Sequence, residues 1–337
     1  MIARLLPALV TVGIAVGLLI LAWPQLFSLA REPVAAQIVS LRGLGIPIAL
    51  VLALGFTVLA LLARPARAFL AGLAVALLAF AAINAAVLAT RGFGNLAFET
   101  PTDSSVTVLE WNTLGEAPGA HVIAQLALDT GADIVALPET TRSAGAEIAV
   151  IMAEAGRPMQ VLTVSYDEIS KARSTTVLIS VELGDYGTDE TGITTAQLPS
   201  VVATPTDGSG PTIVAVHTVA PLPPVMPMWT SDLRWAAAIC SGDDVIMAGD
   251  FNATLDHFGG LSTASGATLG NCVDAAFTSD NAAVGTWPTA IPPLLGAPID
   301  HVMATPNWRV SGMRVIESHD GFGSDHRPIL VQLARVG

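Results

Sequence analysis

The chain has 337 residues, enough for about two domain-sized units. Hydrophobic residues make up 52% and mean hydropathy is +0.61, which argues against a chain that is soluble throughout and points first to a membrane portion. Charge is uneven: residues 1–100 carry six arginines and two acids, so of the 15 basic and 28 acidic residues in the chain, nine and 26 remain for the rear, a formal charge of −17 with a single lysine, Lys171. Duplex-DNA binders usually present a basic face, so this balance disfavours that class.

Three uncharged apolar runs open the chain, at residues 5–30, 43–63 and 68–90. Each exceeds the roughly 20 residues that cross a hydrocarbon core as a helix, and a helix satisfies its own backbone hydrogen bonds as lipid requires. The alternative, a signal peptide followed by buried soluble helices, fits less well, because the first run is long for a signal core and two more runs follow. Residues 1–91 are therefore expected to form a membrane domain with three transmembrane helices. The arginines divide evenly, with Arg4, Arg64 and Arg67 on one side and Arg31, Arg42 and Arg91 on the other. The free amino terminus and the dense Arg64-Pro-Ala-Arg67 hairpin tip the positive-inside rule toward a cytoplasmic amino end. The protein is then expected in the cell membrane, multi-pass, with its rear domain outside the cytoplasm. Residues 92–105, rich in Gly, Pro, Thr, Asp and Ser, read as a linker.

From residue 106 to 337, short apolar strands alternate with amphipathic helices. Strand patterns run over 106–111, 133–137, 160–165, 175–181, 212–217, 244–248, 299–304 and 329–333. Helical spacing marks Val122 to Ala127, Gly145 to Ala155 and Trp229 to Ile239. The alternation predicts a layered α/β domain. Cys240 and Cys272 fit no zinc-site spacing. They are either two buried thiols or, in an oxidising compartment, a disulfide that braces the loop between them.

Polar residues recur at the strand ends: Asn112, Glu139, His217, Asp250 with Asn252, Asp300 with His301, and Asp325 with His326. Strand ends in layered α/β domains gather at one rim, so these groups can converge. Glu139 and Asp325 are hard oxygen ligands suited to Mg²⁺ (or Mn²⁺), and Asn112 adds a neutral oxygen. Asp250 suits orienting or deprotonating a water. His217 and His326 suit phosphate contact and protonation of a leaving oxygen, and Asp300 can fix the His326 tautomer. Trp287, in Thr286-Trp-Pro288, can stack on a substrate or fill a core. His301 should point to the opposite face from Asp300, and His121, His257 and His319 read as surface residues.

Val108-Leu-Glu-Trp-Asn112, Asp133-Ile-Val-Ala-Leu-Pro-Glu139, Gly249-Asp-Phe-Asn252, Ile299-Asp-His301 and Ser324-Asp-His-Arg-Pro328 resemble, in order, the motif series of the endonuclease/exonuclease/phosphatase superfamily. The likeness covers about residues 105–335. It implies a four-layer α/β/β/α sandwich and Mg²⁺- or Mn²⁺-dependent phosphoester hydrolysis. It implies Glu139 as main metal ligand with Asn112 and Asp325 near the metal, Asp250 and Asn252 handling water and phosphate, His326 as the catalytic histidine with Asp300 as its partner, and His217 as a phosphate contact. Pro138 stands where many members have Gln. The leading expectation is a membrane-anchored phosphoesterase acting on a phosphodiester or phosphomonoester. The alternatives are an extracellular nuclease acting on DNA, which the acidic domain disfavours, and a non-catalytic membrane-tethered binding module, which retention of every motif position disfavours. The bilayer and a phosphoester substrate are the expected partners, and no protein partner is implied.

Overall fold

The computed structural model describes residues 2–94, 97–167, 169–188 and 194–336. Four helices come first: α1 (Ile2–Ala22), α2 (Ala35–Ser40), α3 (Arg42–Leu62) and α4 (Arg67–Arg91). Two stretches, Arg42–Leu62 and Arg64–Arg91, are long and apolar enough to cross a membrane. The expected first span over 5–30 is not one helix. It stops at Ala22 because Pro24 has no N–H to donate and disfavours α geometry at Trp23, so the chain turns into a short 3-10 segment over Pro24–Phe27. The described apolar part, Leu6–Ala22, is shorter than the other two.

Among the described residues twelve strands follow: β1 (Ser105–Glu110), β2 (Ile134–Pro138), β3 (Met159–Ser165), β4 (Ser174–Ser180), β5 (Tyr186–Thr188), β6 (Val201–Pro205), β7 (Thr212–His217), β8 (Val245–Asp250), β9 (Val273–Asp274), β10 (Asp300–Ala304), β11 (Trp308–Val315) and β12 (Ile329–Arg335). They form two six-stranded sheets, ordered β11-β12-β1-β2-β4-β3 and β5-β6-β7-β8-β10-β9. In each sheet one pair is parallel: β1 with β2, joined through α5 (Ala120–Thr130), and β7 with β8, joined through α7 (Met226–Ile239). Helix α6 (Arg142–Glu154) covers the first sheet beside α5, and the short α8 (Ala275–Thr278) follows β9.

Strand alternation builds the layers. Val106, Val108, Ile134, Ala136, Val177 and Ile179 meet Ile213, Ala215, Ile246, Ala248 and Val302 between the sheets. The intervening Leu109, Val135, Leu137 and Leu178 face α5 and α6, while Val214, Val216, Val245 and Met247 face Trp229 and Leu233 of α7. The result is the expected two-sheet sandwich with helices outside. The sequence reading did not foresee β5, β6, β9 or β11.

The helical front packs directly on this sandwich. Arg42 makes paired bonds to Asp256 (Nε to Oδ2 2.9 Å, NH2 to Oδ1 2.8 Å) and donates to Ala22 O and Asn84 Oδ1. Arg91 NH2 reaches the same Asp256 Oδ1 at 2.8 Å. After α4, Gly94 N donates to Asp280 O, and Ala282 N and Ala283 N donate to Arg91 O and Gly92 O. His257, expected at the surface, is buried: Thr254 N donates to its Nδ1, and its Nε2 lies 3.2 Å from Ala36 O. Cys240, which caps α7, is disulfide-bonded to Cys272 with Cα atoms 5.6 Å apart.

Candidate active site

The carboxyl ends of β1, β2, β7 and β8 and the amino ends of β10 and β12 meet at one rim of the sandwich. The register requires it: His217 and Asp300 both lie opposite Asp250, and Glu110 lies opposite Ile329. At that rim Asn112 Nδ2 donates to Asp250 Oδ2 (3.0 Å) and Glu139 Oε1 (3.3 Å), which joins the two sheets. Asp250 also accepts from Asn252, through backbone N (2.8 Å) and Nδ2 (3.1 Å). Asn252 Nδ2 in turn donates to Thr218 O, just beyond His217.

His326 is buried with Nδ1 between the two Asp300 oxygens, at 3.0 and 2.9 Å, and Nε2 3.9 Å from both Asp250 Oδ2 and Asp325 Oδ1. Two bonds from the end of β1 fix its backbone: Trp111 Nε1 donates to His326 O (2.9 Å), and Ser324 Oγ donates to Asn112 O (2.6 Å) while accepting from His326 N. His217 Nε2 lies 3.9 Å from Glu139 Oε1. Asp325 accepts from Trp287 Nε1 at 2.8 Å, so Trp287 belongs to the site wall.

All eight expected site residues are therefore brought together. Two details differ from expectation. Asn112 turns its amide hydrogens, not its oxygen, toward the carboxylates, because Oδ1 accepts from Leu114 N. The three ligand-type side chains that cluster among the described residues are Asp250, Asp300 and His326, with atoms all within 4.8 Å, and Glu139 and Asp325 lie outside that group. Asp300 already spends both oxygens on the imidazole. Asp325 Oδ1, by contrast, is buried with no hydrogen-bond partner, and Glu139 is held only by the neutral donors of Asn112 and the Gly115 backbone among the described residues.

Electrostatics follow from burial and crowding. Burial pushes Asp250 up to about 7, reinforced by Asp300 and opposed by His326. Burial would lower His326, but the charges of Asp300 and Asp250 lift it to about 10. Burial, then the charge of His326, holds His217 down at about 3, so it is a neutral imidazole. Burial raises Glu139, and Asp325 adds to the rise. The donor set thus fits a divalent cation: it holds a carboxylate, Glu139, whose charge burial and Asp325 disfavour, and a buried Asp325 oxygen lacking a donor.

Backbone strain marks the same place. Glu139 (φ 62) and Asn252 (φ 47) both adopt the left-handed region, where a side chain costs energy that a working site commonly retains. Gly249 has a local reason, since a Cβ there would stand 2.0 Å from Val216 O and push β7 and β8 apart.

Glu110 was not anticipated. It is fully buried, and burial, together with Asp300 and Asp250, holds its carboxyl well above the usual range. Its parity with Val106 and Val108 on β1 was the available signal. Ser324, Trp111 and Thr286, whose Oγ1 accepts from Ile299 N and Asp300 N, were likewise unassigned. His301 does face away from Asp300, holding Asp274 Oδ2 (2.7 Å) and Ala253 O (2.8 Å).

Residues 109–326 match the model of the Endonuclease/Exonuclease/phosphatase family. No curated protein sequence matches the chain. Among solved structures, D. rerio TDP2 complexed with single strand DNA product is 18% identical, with TM-score 0.51 over 68% of this chain and 99% of that one. An endonuclease/exonuclease/phosphatase family protein from Bacteroides thetaiotaomicron is 15% identical, with TM-score 0.51 over 70% and 99%. The mannosyl-6-phosphatase of the same organism is 14% identical, with TM-score 0.50 over 68% and 99%. At these identities the likeness is one of fold.

Proposed function

The chain belongs to the endonuclease/exonuclease/phosphatase family, and from that premise we propose that it is a membrane-anchored, divalent-metal-dependent phosphoesterase acting on a phosphodiester or phosphomonoester. It is a hydrolase of phosphoester bonds. The observation that carries the finer reading is the convergence, at one rim, of a buried His326–Asp300 pair, a buried Asp250 and the Glu139–Asp325 carboxylates.

Each side chain then has a role set by its surroundings. Asp250, with its oxygens oriented by Asn112 and Asn252, positions the attacking water and accepts its proton. Asp300 occupies Nδ1 of His326, which leaves Nε2 to donate to the phosphoryl or leaving oxygen. His217, neutral, and Asn252 contact the phosphate. Glu139 and Asp325 would hold Mg²⁺ or Mn²⁺, with Asn112 beside them, and such an ion supplies Lewis-acid stabilisation of charge on phosphoryl oxygens.

Residues 1–91 form the membrane domain in this reading, 92–105 the connecting segment and 106–337 the catalytic domain. The two apolar helices α3 and α4 support a membrane location, and α1, which packs beside α4, is the proposed third crossing. The catalytic domain is placed outside the cytoplasm. The formal charge of −17 favours a small or lipid-borne phosphoester over a nucleic acid. The reading is tested with the full chain in nanodiscs and bis(p-nitrophenyl) phosphate. Turnover that needs a divalent ion and fails in Glu139→Ala and His326→Ala is the expected result. Turnover in either variant equal to wild type overturns it.

A further inference from the structure

The helical front does not hang from a free tether. It is seated on the loops that leave the active-site rim. Asp256, gripped by Arg42 and Arg91, lies four positions after Asn252, and four residues of chain span at most about 14 Å. Gln37 of α2 donates to Pro221 O, four positions after His217. Arg31 donates to His257 O (2.6 Å) and Gly259 O (2.8 Å) in the segment that follows Asp256.

A second connection runs through residues 286–297. One end carries Trp287, bonded to Asp325, and Thr289 N, which donates to Asp325 O. The other end lies on the first turn of α3, where a Cβ on Gly43 would stand 2.0 Å from Leu294 O. Arg327, next to His326, fastens the segment by donating to the carbonyls of Gly285, Pro288, Thr289 and Ile291. Leu294 itself is 49% exposed, beside the point where the apolar part of α3 begins. Trp23, Leu26, Phe27 and Val34 are exposed on the segment joining α1 to α2, at the same end of the helices. Aromatic and apolar side chains at helix ends suit the bilayer interface.

We propose that the active-site rim faces the bilayer, that the segment from Trp287 to Leu294 runs from the wall of the site to a membrane contact outside it, and that the substrate is a phosphoester borne on a lipid headgroup. This rests on the hydrolase reading given above. In the reaction the oxygen of water bonds to phosphorus, the phosphorus–oxygen ester bond breaks, and the departing oxygen takes a proton that water supplied. The loops that the helices grip follow His217 and Asn252 and lead into Asp300, so a headgroup at the interface reaches the site without leaving the bilayer. The acidic domain repels a polyanionic strand but has only one phosphate to accept here.

The experiment uses the full chain in nanodiscs with Mg²⁺. The probes are phosphatidylglycerol, phosphatidylinositol and phosphatidic acid in the disc, their water-soluble deacylated counterparts, single-stranded DNA, and bis(p-nitrophenyl) phosphate. At least one lipid should be hydrolysed about tenfold faster than its deacylated form. Leu294→Asp should lower that lipid rate about tenfold, the loss expected when one leucine no longer inserts, while bis(p-nitrophenyl) phosphate turnover stays within about twofold. A fluorophore on Leu294→Cys should be quenched by lipid-borne nitroxide, whereas one on Ser209→Cys, in the exposed turn at the opposite ends of the strands, should not. Equal or faster turnover of the deacylated forms or of DNA overturns the inference alone, as does an unquenched Leu294 label or a lipid rate unchanged in Leu294→Asp. No turnover of any probe overturns the hydrolase reading, and this inference with it.

Discussion

His326 Nδ1 lies 2.9 Å from Asp300 Oδ2 and 3.0 Å from Oδ1, and both residues are buried. The carboxylate holds the Nδ1 proton and orients the ring, so that in the proposed reaction Nε2, 3.9 Å from Asp250, is the working atom. Asp300→Asn should therefore lower kcat by about a hundredfold or more while changing KM little, the scale of losing an oriented general acid. If His326 protonates the leaving oxygen, p-nitrophenyl esters should suffer less than alkyl esters. Steady-state kinetics on the two ester types check this, and an equal loss on both would remove the leaving-group role.

Metal removal gives a second outcome. Activity of the full chain in EDTA should fall to background and return with Mg²⁺ or Mn²⁺. Glu139→Gln should raise the metal concentration needed for half-maximal rate by at least about tenfold, a loss on the scale seen when metal-site groups are removed. Titrating the ion against initial rate in wild type and variant reads this directly. Activity that is indifferent to EDTA excludes the proposed ion.

The two-sheet arrangement was largely legible because period-two burial survives in the sequence: Val106, Val108 and Ile134 face one way, and Leu109 and Val135 the other. The site was legible because its residues sit at strand ends, and strand ends converge. β11 was hidden by Arg309, Ser311 and Arg314 and by the register shift between Val310 and Gly312, which breaks its alternation. Glu110 was hidden because a carboxylate in a strand reads as solvent-facing, and only its parity with Val108 places it between the sheets. His257 and Asp256 gave no local signal, since their partners Ala36, Arg42 and Arg91 lie more than 150 positions away. The first helix is expected to run eight residues further at its carboxyl end than it does, because apolar composition continues past Trp23 while helical geometry does not.

Asp256 gives the third prediction, one of stability. Burial alone would raise its carboxyl, but the charges of Arg91 and Arg42 hold it well below the usual carboxylate range. A depressed folded value means stabilisation that is complete above the unfolded value of about 3.9 and is lost as pH falls from there toward the folded value. Asp256→Asn leaves two buried guanidiniums without a counter-charge and should cost about 3–5 kcal/mol. Thermal unfolding in nanodiscs should show a gap between wild type and variant that is constant from about pH 8 to 5 and shrinks below about pH 4. A gap that grows on acidification would contradict the assignment.

The disulfide between Cys240 and Cys272 closes a loop with sequence separation 32, which contains Asp250, Asn252 and Asp256. In the chain-entropy model, reduction should destabilise the protein by roughly 3 to 4 kcal/mol. Unfolding with and without dithiothreitol measures the difference. Denatured, unreduced protein from an oxidising compartment should titrate no thiol, because both cysteines of the chain are bonded. Two titrating thiols would show that the pair stays reduced there.

Orientation in the membrane is the last prediction, and the packing breaks the tie that the arginine count leaves. Ala22, Arg42 and Arg91 meet at the domain side, so α1, α3 and α4 run away from it together. Leu6 and Pro7 accordingly line one pocket with Pro65 and Ala66, which places the amino end of α1 beside the hairpin between α3 and α4. Arg42 and Arg91 on the domain side are buried and share the single carboxylate of Asp256, which offsets one of their two charges, and Arg31 is engaged with two carbonyls. Arg64 and Arg67 are exposed on the hairpin side with no carboxylate partner among the described residues, so the more available positive charge lies there. Positive-inside bias then puts the hairpin in the cytoplasm and the catalytic domain outside it. That side is also where a Cys240–Cys272 bond persists. A carboxy-terminal alkaline phosphatase fusion should be active in a bacterial host, and a green fluorescent fusion dark. The reverse pattern would invert the orientation and remove the oxidising environment that the disulfide requires, while leaving the hydrolytic site untouched.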